Sequence, residues 1–244
     1  MLLPVQWPAP ARVRAFSTTR LGGVSVGPFA GLNLSTSTGD QRDAVAENIT
    51  RLTHAAGLPH APAWPRQVHG TQAVDAALLD ATPEADAVFT TEAGRVCSVR
   101  TADCLPVLLC DQEGTCVAAA HAGWRGLAAG VLERVVTSLP ASPERLMAWL
   151  GPAIGPLAFE VGEQVREAFL DADPGATTCF QPSPAGRWLA DLNALARRRL
   201  ERAGVPSVHG GGLCTHDDAR LFFSYRRNGL TGRLASGIWI DPGA

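Results

Sequence analysis

Two neighbouring runs of apolar residues constrain the fold of this 244-residue chain more than any other feature. They are Leu105 to Cys110 and Cys116 to Ala120, and no polar residue interrupts either run. A strand with one face in water alternates apolar and polar side chains, whereas a strand covered on both faces is apolar throughout. The two runs therefore predict neighbouring strands in a sheet that is buried on both faces.

The rest of the chain alternates between strand-like and helix-like patterns without repeats or a low-complexity tract, which indicates a single α/β domain over residues 1–244. Asp40 is a candidate cap for the first helix, and Gly57 is its expected end. Further strands are predicted at 13–19, 72–79, 86–90, 95–101, 145–150, 206–209, 220–225 and 234–240. Helices are predicted at 41–56, 127–139, 160–172 and 188–203.

Charge and composition exclude several function classes. The net charge of −2 argues against a surface that follows the phosphates of a nucleic acid. All 21 basic residues are Arg, so the chain has no lysine for a Schiff base or for a Walker A loop. Any anion must therefore be held by Arg, by backbone N–H groups or by a metal. No apolar run is long enough to span a membrane, and the six Cys residues form no Cys-x-x-Cys pair, so we expect a cytoplasmic protein with reduced thiols.

Three side chains with metal-binding chemistry stand at predicted strand ends or turns. His69 follows a proline-rich stretch, Cys104 separates two predicted strands, and His121 ends an apolar strand before a glycine-rich turn. Such loops at strand ends commonly carry functional sites. Two imidazoles and a thiolate can hold Zn²⁺, with Cu²⁺ as the other candidate, and leave a fourth position open for catalysis.

Four further residues are candidates for roles beside this centre. Arg125, in the glycine-rich turn after His121, offers a guanidinium fork for anion oxygens. Arg20, in a Ser/Thr- and Gly-rich turn, and Arg226, beside the single Tyr of the chain, are candidates for the same role. Asp103 immediately precedes Cys104 and is a candidate either to orient a histidine ligand or simply to form a turn.

Several longer motifs occur in an order that resembles the YfiH/YlmD family, the laccase-domain proteins, which were labelled polyphenol oxidases and are now regarded as purine nucleoside phosphorylases. The resemblance extends from about residue 14 to 240. The motifs that carry it are Phe16-Ser17-Thr18-Thr19-Arg20, Gly22-Gly23-Val24-Ser25, Leu32-Asn33-Leu34, Gly39-Asp40, Gln67-Val68-His69-Gly70, Ala102-Asp103-Cys104, His121-Ala122-Gly123-Trp124-Arg125-Gly126, Gly151-Pro152-Ala153-Ile154-Gly155-Pro156, Phe159-Glu160-Val161-Gly162, Cys214-Thr215 and Phe223-Ser224-Tyr225-Arg226-Arg227.

The resemblance implies a four-layer α/β/β/α sandwich with mixed sheets, similar to the catalytic domain of cytotoxic necrotizing factor toxins. It also implies a metal, usually zinc, held by His69, Cys104 and His121. The implied activities are phosphorolysis of adenosine, inosine, guanosine and methylthioadenosine, together with deamination of adenosine. In this interpretation Arg20, Arg125 or Arg226 aligns phosphate, and Asp103 carries a proton during deamination.

Three alternatives use the same residues differently. Cys104 could act as the nucleophile of a Cys-His hydrolase or deamidase, including one that edits peptidoglycan precursors, with His121 or His69 as its base. Copper-dependent phenol oxidation is disfavoured, because a laccase needs many histidines in His-x-His pairs and this chain has six histidines without such a pair. A binding or scaffold domain without catalysis is the remaining alternative.

Overall fold

The computed structural model of the protein describes residues 1–243. Within that range the strands are β1 (Leu2–Leu3), β2 (Val13–Thr18), β3 (Ala73–Asp75), β4 (Ala87–Thr90), β5 (Cys97–Thr101), β6 (Leu105–Asp111), β7 (Val117–Ala122), β8 (Leu146–Leu150), β9 (Glu160–Val161), β10 (Phe180–Pro182), β11 (Trp188–Ala190), β12 (Ser207–Gly210) and β13 (Leu234–Ile240). The α-helices of the same range are α1 (Arg42–Ala56), α2 (Trp124–Ala129), α3 (Val131–Ser138), α4 (Glu163–Leu170), α5 (Leu192–Arg202) and α6 (Tyr225–Asn228).

The two apolar runs form β6 and β7, which lie in the middle of a six-stranded sheet of order β12-β8-β6-β7-β4-β3. β6 is antiparallel to both β7 and β8, whereas the outer pairs β12–β8 and β3–β4 are parallel, so the sheet is mixed. Every residue of β6 and β7 is buried. The prediction of strands covered on both faces is therefore confirmed.

The sheet that contains β6 and β7 is one of four layers. Helices α2 to α5 cover one face of the six-stranded sheet, where Leu109 and Leu132 belong to the same core. A four-stranded antiparallel sheet of order β1-β2-β13-β5 covers the other face, with Leu108 and Ile238 in the core between the sheets. Helix α1 packs through Leu52 on the far side of this second sheet. The α/β/β/α sandwich predicted from the family resemblance is thus confirmed.

The first helix matches its predicted extent but not its predicted cap. Gln41 occupies the capping position and makes no side-chain bond to the helix. The Asp40 carboxylate instead accepts hydrogen bonds from the backbone N–H of Gln41 and from the side-chain amide of Asn33. Gly57 ends the helix in the left-handed conformation (φ 60°), as predicted.

Two predicted helices are divided differently in the structure. The helix expected at 127–139 is two helices, α2 and α3, because Gly130 adopts φ 99° between them. The helix expected at 188–203 begins only after strand β11, and the side chain of Asp191 caps it by accepting a hydrogen bond from the N–H of Ala194. The helix expected at 160–172 likewise follows a short strand, β9. No helix within residues 1–243 is long and apolar enough to cross a membrane.

The strand predicted at 220–225 is wrong. That segment is a turn leading into α6, and its aromatic residues Phe222 and Phe223 are buried with Leu234 in a small separate core. Most of the strand predicted at 72–79 is also absent, because a 3₁₀ turn over Ala76–Ala81 follows the short β3. Apolar content alone does not distinguish an extended segment from a packed turn.

Candidate active site

Three separate segments bring His69, Cys104 and His121 together. Their potential ligand atoms all lie within 4.8 Å of one another. The Cys104 Sγ is 3.8 Å from the His69 Nε2, and the two imidazole rings meet edge to face with their centroids 4.8 Å apart. The antiparallel pairing of β6 with β7 explains part of this geometry, because it places the start of β6, just after Cys104, opposite the end of β7, which carries His121.

Glycines allow the close approach of these segments. A Cβ atom on Gly123 would lie 2.9 Å from the Cδ2 of His69 and 3.0 Å from the Sγ of Cys104. A Cβ atom on Gly126 would lie 2.7 Å from the carbonyl oxygen of Gly70. The glycines of the turn after His121 therefore make room for the other members of the cluster.

Asp86 forms hydrogen bonds to two of the segments that carry the cluster, and the sequence analysis did not predict it. Its carboxylate is fully buried and accepts a 2.7 Å hydrogen bond from the Nδ1 of His121. It also accepts hydrogen bonds from the backbone N–H groups of Val68, His69 and Gly70 at 3.2, 3.0 and 2.6 Å. One carboxylate thus holds the His69 loop and orients the His121 ring. The sequence did contain one signal for a buried carboxylate, because Asp86 is an acid between the apolar residues Ala85 and Ala87.

The electrostatics of the cluster favour an ionised thiol. Burial by itself raises the pKa of Cys104, but the charge and hydrogen bonds of His121, with a further contribution from His69, lower it to about 6. Burial by itself lowers the pKa of His121, but Cys104 and Asp86 raise it to about 9. The hydrogen bonds from His121 and from the His69 loop outweigh burial at Asp86 and lower the pKa of that carboxyl.

The donor set fits a metal ion. Cys104 supplies a sulfur whose lowered pKa favours the thiolate, and thiolate with imidazole nitrogen is the ligand combination that suits zinc or copper. The hydrogen bond from Nδ1 of His121 to Asp86 leaves Nε2 as the free ligand atom, an arrangement common behind metal-binding histidines. Three ligands leave a fourth position for substrate or water.

Asp103 does not occupy the orienting position suggested for it. One of its carboxylate oxygens accepts a 2.7 Å hydrogen bond from the hydroxyl of Thr215, and the other accepts a 2.6 Å bond from the backbone N–H of Arg226. Its own backbone is left-handed, with φ 89°, at the turn that presents Cys104. Asp103 therefore ties two loops to this turn, and Asp86 is the carboxylate that orients a histidine of the cluster.

The three arginines suggested for phosphate differ in their surroundings. Arg20 donates to the carbonyl oxygens of Ala30 and Ala219 and stacks over Phe223, which engages its guanidinium in loop packing. Arg226 donates to the carbonyl oxygens of residues 158 and 160. Arg125 is exposed and stacks on Trp124, and its guanidinium makes no hydrogen bond within residues 1–243.

Known proteins resemble this chain over nearly its whole length. Residues 14–241 match the profile of a family described as "Multi-copper polyphenol oxidoreductase laccase". The purine nucleoside phosphorylase YfiH of Escherichia coli (strain K12) is 51% identical over 243 residues, which is 98% of each chain. The purine nucleoside phosphorylase PA4543 of Pseudomonas aeruginosa is 54% identical over 240 residues, again 98% of each chain.

The fold of this chain also resembles that of a solved structure. The crystal structure of the Neisseria meningitidis protein NMB0706 superposes with a TM-score of 0.95 at 50% sequence identity, and the match covers 98% of this chain and 99% of that one. The chain therefore belongs to the YfiH/YlmD family of laccase-domain proteins.

Proposed function

We propose that this protein is a metal-dependent purine nucleoside phosphorylase that acts on adenosine, inosine, guanosine and methylthioadenosine and also deaminates adenosine. The observation that carries the proposal is the cluster of His69, Cys104 and His121, whose ligand atoms lie within 4.8 Å of one another. Relatives that match 98% of the chain at about half identity are named purine nucleoside phosphorylases, which supports the substrate class.

The cluster is accessible from one side. His69 is exposed, Cys104 is partly buried, and His121 is buried. A substrate can therefore reach the cluster past His69, while His121 stays fixed against Asp86. His69, Cys104 and His121 would hold the ion, and a bound Zn²⁺ would supply Lewis-acid polarisation of an oxygen of substrate or water.

Phosphorolysis requires the protein's own residues to bind phosphate and to orient it toward the ribose. An oxygen of phosphate forms a bond to C1′ of the ribose while the bond from C1′ to the purine nitrogen breaks. The bonding electrons leave with the base, which takes up a proton, and the products are free base and ribose 1-phosphate. The protein must bind and orient the phosphate dianion, and because the chain has no lysine, Arg side chains are the main source of positive charge among its own residues.

Deamination requires a different proton carrier. Water adds its oxygen at C6 of the purine, and the amino group leaves as ammonia after gaining a proton. Each carboxylate oxygen of Asp103 already accepts one hydrogen bond, so a proton-carrying role would have to use the second lone pair of one of these oxygens. We therefore place deamination second to phosphorolysis in this proposal.

One observation favours a second candidate, the Cys-His hydrolase or deamidase. His121 stands between Cys104 and Asp86, and its Nδ1 donates to the carboxylate of Asp86. A nucleophile, a base and a carboxylate that orients the base follow the logic of hydrolase triads. Iodoacetamide separates the two proposals: a nucleophilic Cys104 is labelled equally with and without a chelator, whereas a metal ligand is protected until the metal is removed.

Copper-dependent phenol oxidation has less support from the geometry. Within residues 1–243, His69, Cys104 and His121 are the one group of three or more His, Cys, Asp or Glu donors close enough to hold a metal. A laccase requires a multinuclear cluster with many more histidines. The family description alone therefore does not outweigh the names of the full-length relatives.

The decisive experiment measures base release. Protein purified without added metal and then loaded with Zn²⁺ should convert adenosine and phosphate to adenine and ribose 1-phosphate. Cys104→Ala and His69→Ala should abolish the reaction and lose bound zinc. His54→Ala is the matched control, because His54 is exposed on α1 and outside the cluster. The proposal fails if the folded, zinc-loaded protein releases no base, or if Cys104→Ala releases base as fast as the parent.

A further inference from the structure

Two arginines that the sequence analysis did not select lie side by side near the cluster. Arg100 is on β5, directly opposite Ala235 of β13. Arg233 stands two positions before Ala235, immediately before β13 begins. Burial, and next to it the charge of Arg233, lower the pKa of Arg100 to about 10, which indicates that the two guanidinium groups are close. Both arginines are partly buried.

These arginines adjoin the segments that carry the cluster. β5 continues after Arg100 into the turn that holds Cys104. Gln67, two residues before His69, forms side-chain hydrogen bonds with both the backbone N–H and the carbonyl oxygen of Arg100. Arg233 directly precedes Leu234, which pairs with Thr101. Burial lowers the pKa of Arg233, and the charges of Cys104 and Asp103 act on it in the opposite direction.

No acid forms an ion pair with either arginine within the described range. Within residues 1–243, neither Arg100 nor Arg233 has a carboxylate oxygen within 4.0 Å. Asp40, which lies near this loop, bonds the side-chain amide of Asn33, and Asn33 in turn accepts the backbone N–H of Arg233. Two neighbouring guanidinium groups that no carboxylate contacts repel each other, and a bound dianion would relieve that repulsion.

Most of the donors of the pair are free. Arg233 uses only one guanidinium nitrogen, Nη1, which donates to the carbonyl oxygens of Thr231 and Gly232. Arg100 uses only its Nη1, in a long 3.5 Å contact with the carbonyl of Leu34. Within the described range, the remaining nitrogens of both side chains have no partner and keep contact with solvent. Arg20, by contrast, donates through three nitrogens, whereas Arg226 uses Nη1 alone for two carbonyls, as Arg233 does. The guanidinium of Arg100 also stacks over the Trp64 ring.

We propose that Arg100 and Arg233 form the binding site for the phosphate that attacks the nucleoside. This inference rests on the proposed phosphorylase function and names the residues that supply its anion site. The planar forks of two arginines match the oxygens of a phosphate dianion, and each can donate in pairs. Arg233 lies close enough to Cys104 for their charges to interact, so phosphate held by Arg233 would be near the cluster.

The test measures phosphate binding and phosphate kinetics separately. Inorganic phosphate is titrated into the zinc-loaded full-length protein by calorimetry, with and without adenine, which cannot react with phosphate. Arg233→Gln and Arg100→Gln should each weaken phosphate binding and raise the KM for phosphate by about tenfold or more, since hydrogen bonds to charged groups are among the strong ones. The KM for adenosine and the zinc content should stay within about twofold of the parent values.

Three further variants complete the test. Arg134→Gln removes an exposed charge on α3, in a different layer, and should change neither phosphate binding nor the KM for phosphate. Arg233→Lys keeps the charge without the fork and should bind phosphate with intermediate strength. Arg125→Gln tests the exposed competitor. Loss of phosphate binding in Arg125→Gln, with parent-like binding in both Arg233→Gln and Arg100→Gln, overturns the inference.

The outcomes distinguish this inference from the proposed function. If the parent cleaves nucleosides and the two Gln variants keep the parent KM for phosphate, the arginine site is wrong and the function stands. If the parent binds phosphate through these arginines and cleaves no nucleoside, the phosphorylase proposal is wrong and the anion site stands. If the parent binds no phosphate in either titration, the arginine site is wrong.

Discussion

Burial and neighbouring charges together set the pKa values of Cys116 and Cys104. Burial raises the pKa of Cys116 to about 12, with the charge of Asp111 acting in the same direction. Cys104 is also subject to burial, but two imidazoles lie next to it and bring its pKa to about 6. Only Cys104 of these two is therefore ready to bind a metal or to react at neutral pH.

This difference predicts the pH dependence of alkylation in metal-free protein. Below about pH 6 the Cys104 thiol is protonated and should react slowly with iodoacetamide; above that pH it is ionised, and the rate should reach a plateau. Peptide mass spectrometry assigns the label to Cys104, and Cys116 should stay unlabelled from pH 5 to about 9. A midpoint near the ordinary thiol value of about 8.5 would contradict the electrostatic account.

Asp86 contacts the proposed metal site through His121 and through the loop of His69. Asp86→Asn removes the negative charge and places an amide where four N–H groups now converge. Loss of such a supporting carboxylate typically weakens metal binding about 10–100-fold, and we expect that range for zinc measured against a chromophoric chelator.

Asp111→Asn is the matched control for this prediction. Asp111 is another buried carboxylate that accepts backbone N–H groups, from Thr115 and Cys116, but it lies at the opposite end of β6 from Cys104. Its substitution should lower the free energy of unfolding and leave zinc affinity unchanged. Equal zinc affinity in Asp86→Asn and the parent would show that Asp86 has no role in the site.

At the scale of elements, the junction between β7 and α2 is built for the cluster. Gly123→Ala would place a methyl group about 3 Å from His69 and Cys104, closer than side-chain carbons normally approach. We expect this variant to fold with the parent's melting temperature to within a few degrees and to lose stoichiometric zinc. Metal analysis of protein purified without added metal measures the loss.

Gly130→Ala should behave in the opposite way. Gly130 separates α2 from α3 at φ 99°, and an added Cβ would meet only the carboxylate of Glu133 at 3.6 Å. An alanine there costs backbone strain of roughly 1–2 kcal/mol of folding stability, without touching the cluster. Zinc loss in Gly130→Ala equal to that in Gly123→Ala would mean that helix disruption, not the local clash, empties the site.

The elements were predicted best where a local pattern repeats. The apolar runs of β6 and β7 and the amphipathic pattern of α1 depend only on neighbours in sequence, and their extents match closely. The strand predicted at 220–225 failed because its apolar side chains are buried by contacts with Leu234, not by pairing in a sheet. The separation of α2 from α3 depends on one glycine whose conformation the helical periodicity does not reveal.

At the scale of the whole molecule, the two sheets hold the site in place by packing on each other. Leu108 is fully buried in the core between them. Leu108→Ala should therefore lower the free energy of unfolding by about 2–5 kcal/mol, measured by urea denaturation. Leu157→Ala, at a side chain that is 80% exposed, should change it by less than about 0.5 kcal/mol. Similar changes in the free energy of unfolding for the two variants would show that the core between the sheets contributes little to stability.

The sequence by itself determined that two neighbouring strands are covered on both faces in an α/β domain, and it singled out His69, Cys104 and His121. The four-layer arrangement was predicted from the family resemblance of its motifs. Only the tertiary structure decided what surrounds them. Asp86 rather than Asp103 orients His121. Arg100 and Arg233, which the sequence did not single out, lie near each other, and within residues 1–243 each uses only Nη1 as a donor. The physical reason is that local patterns report which residues are buried or extended, whereas a hydrogen bond or a charge pair depends on which distant segments the packing of the sheets brings together.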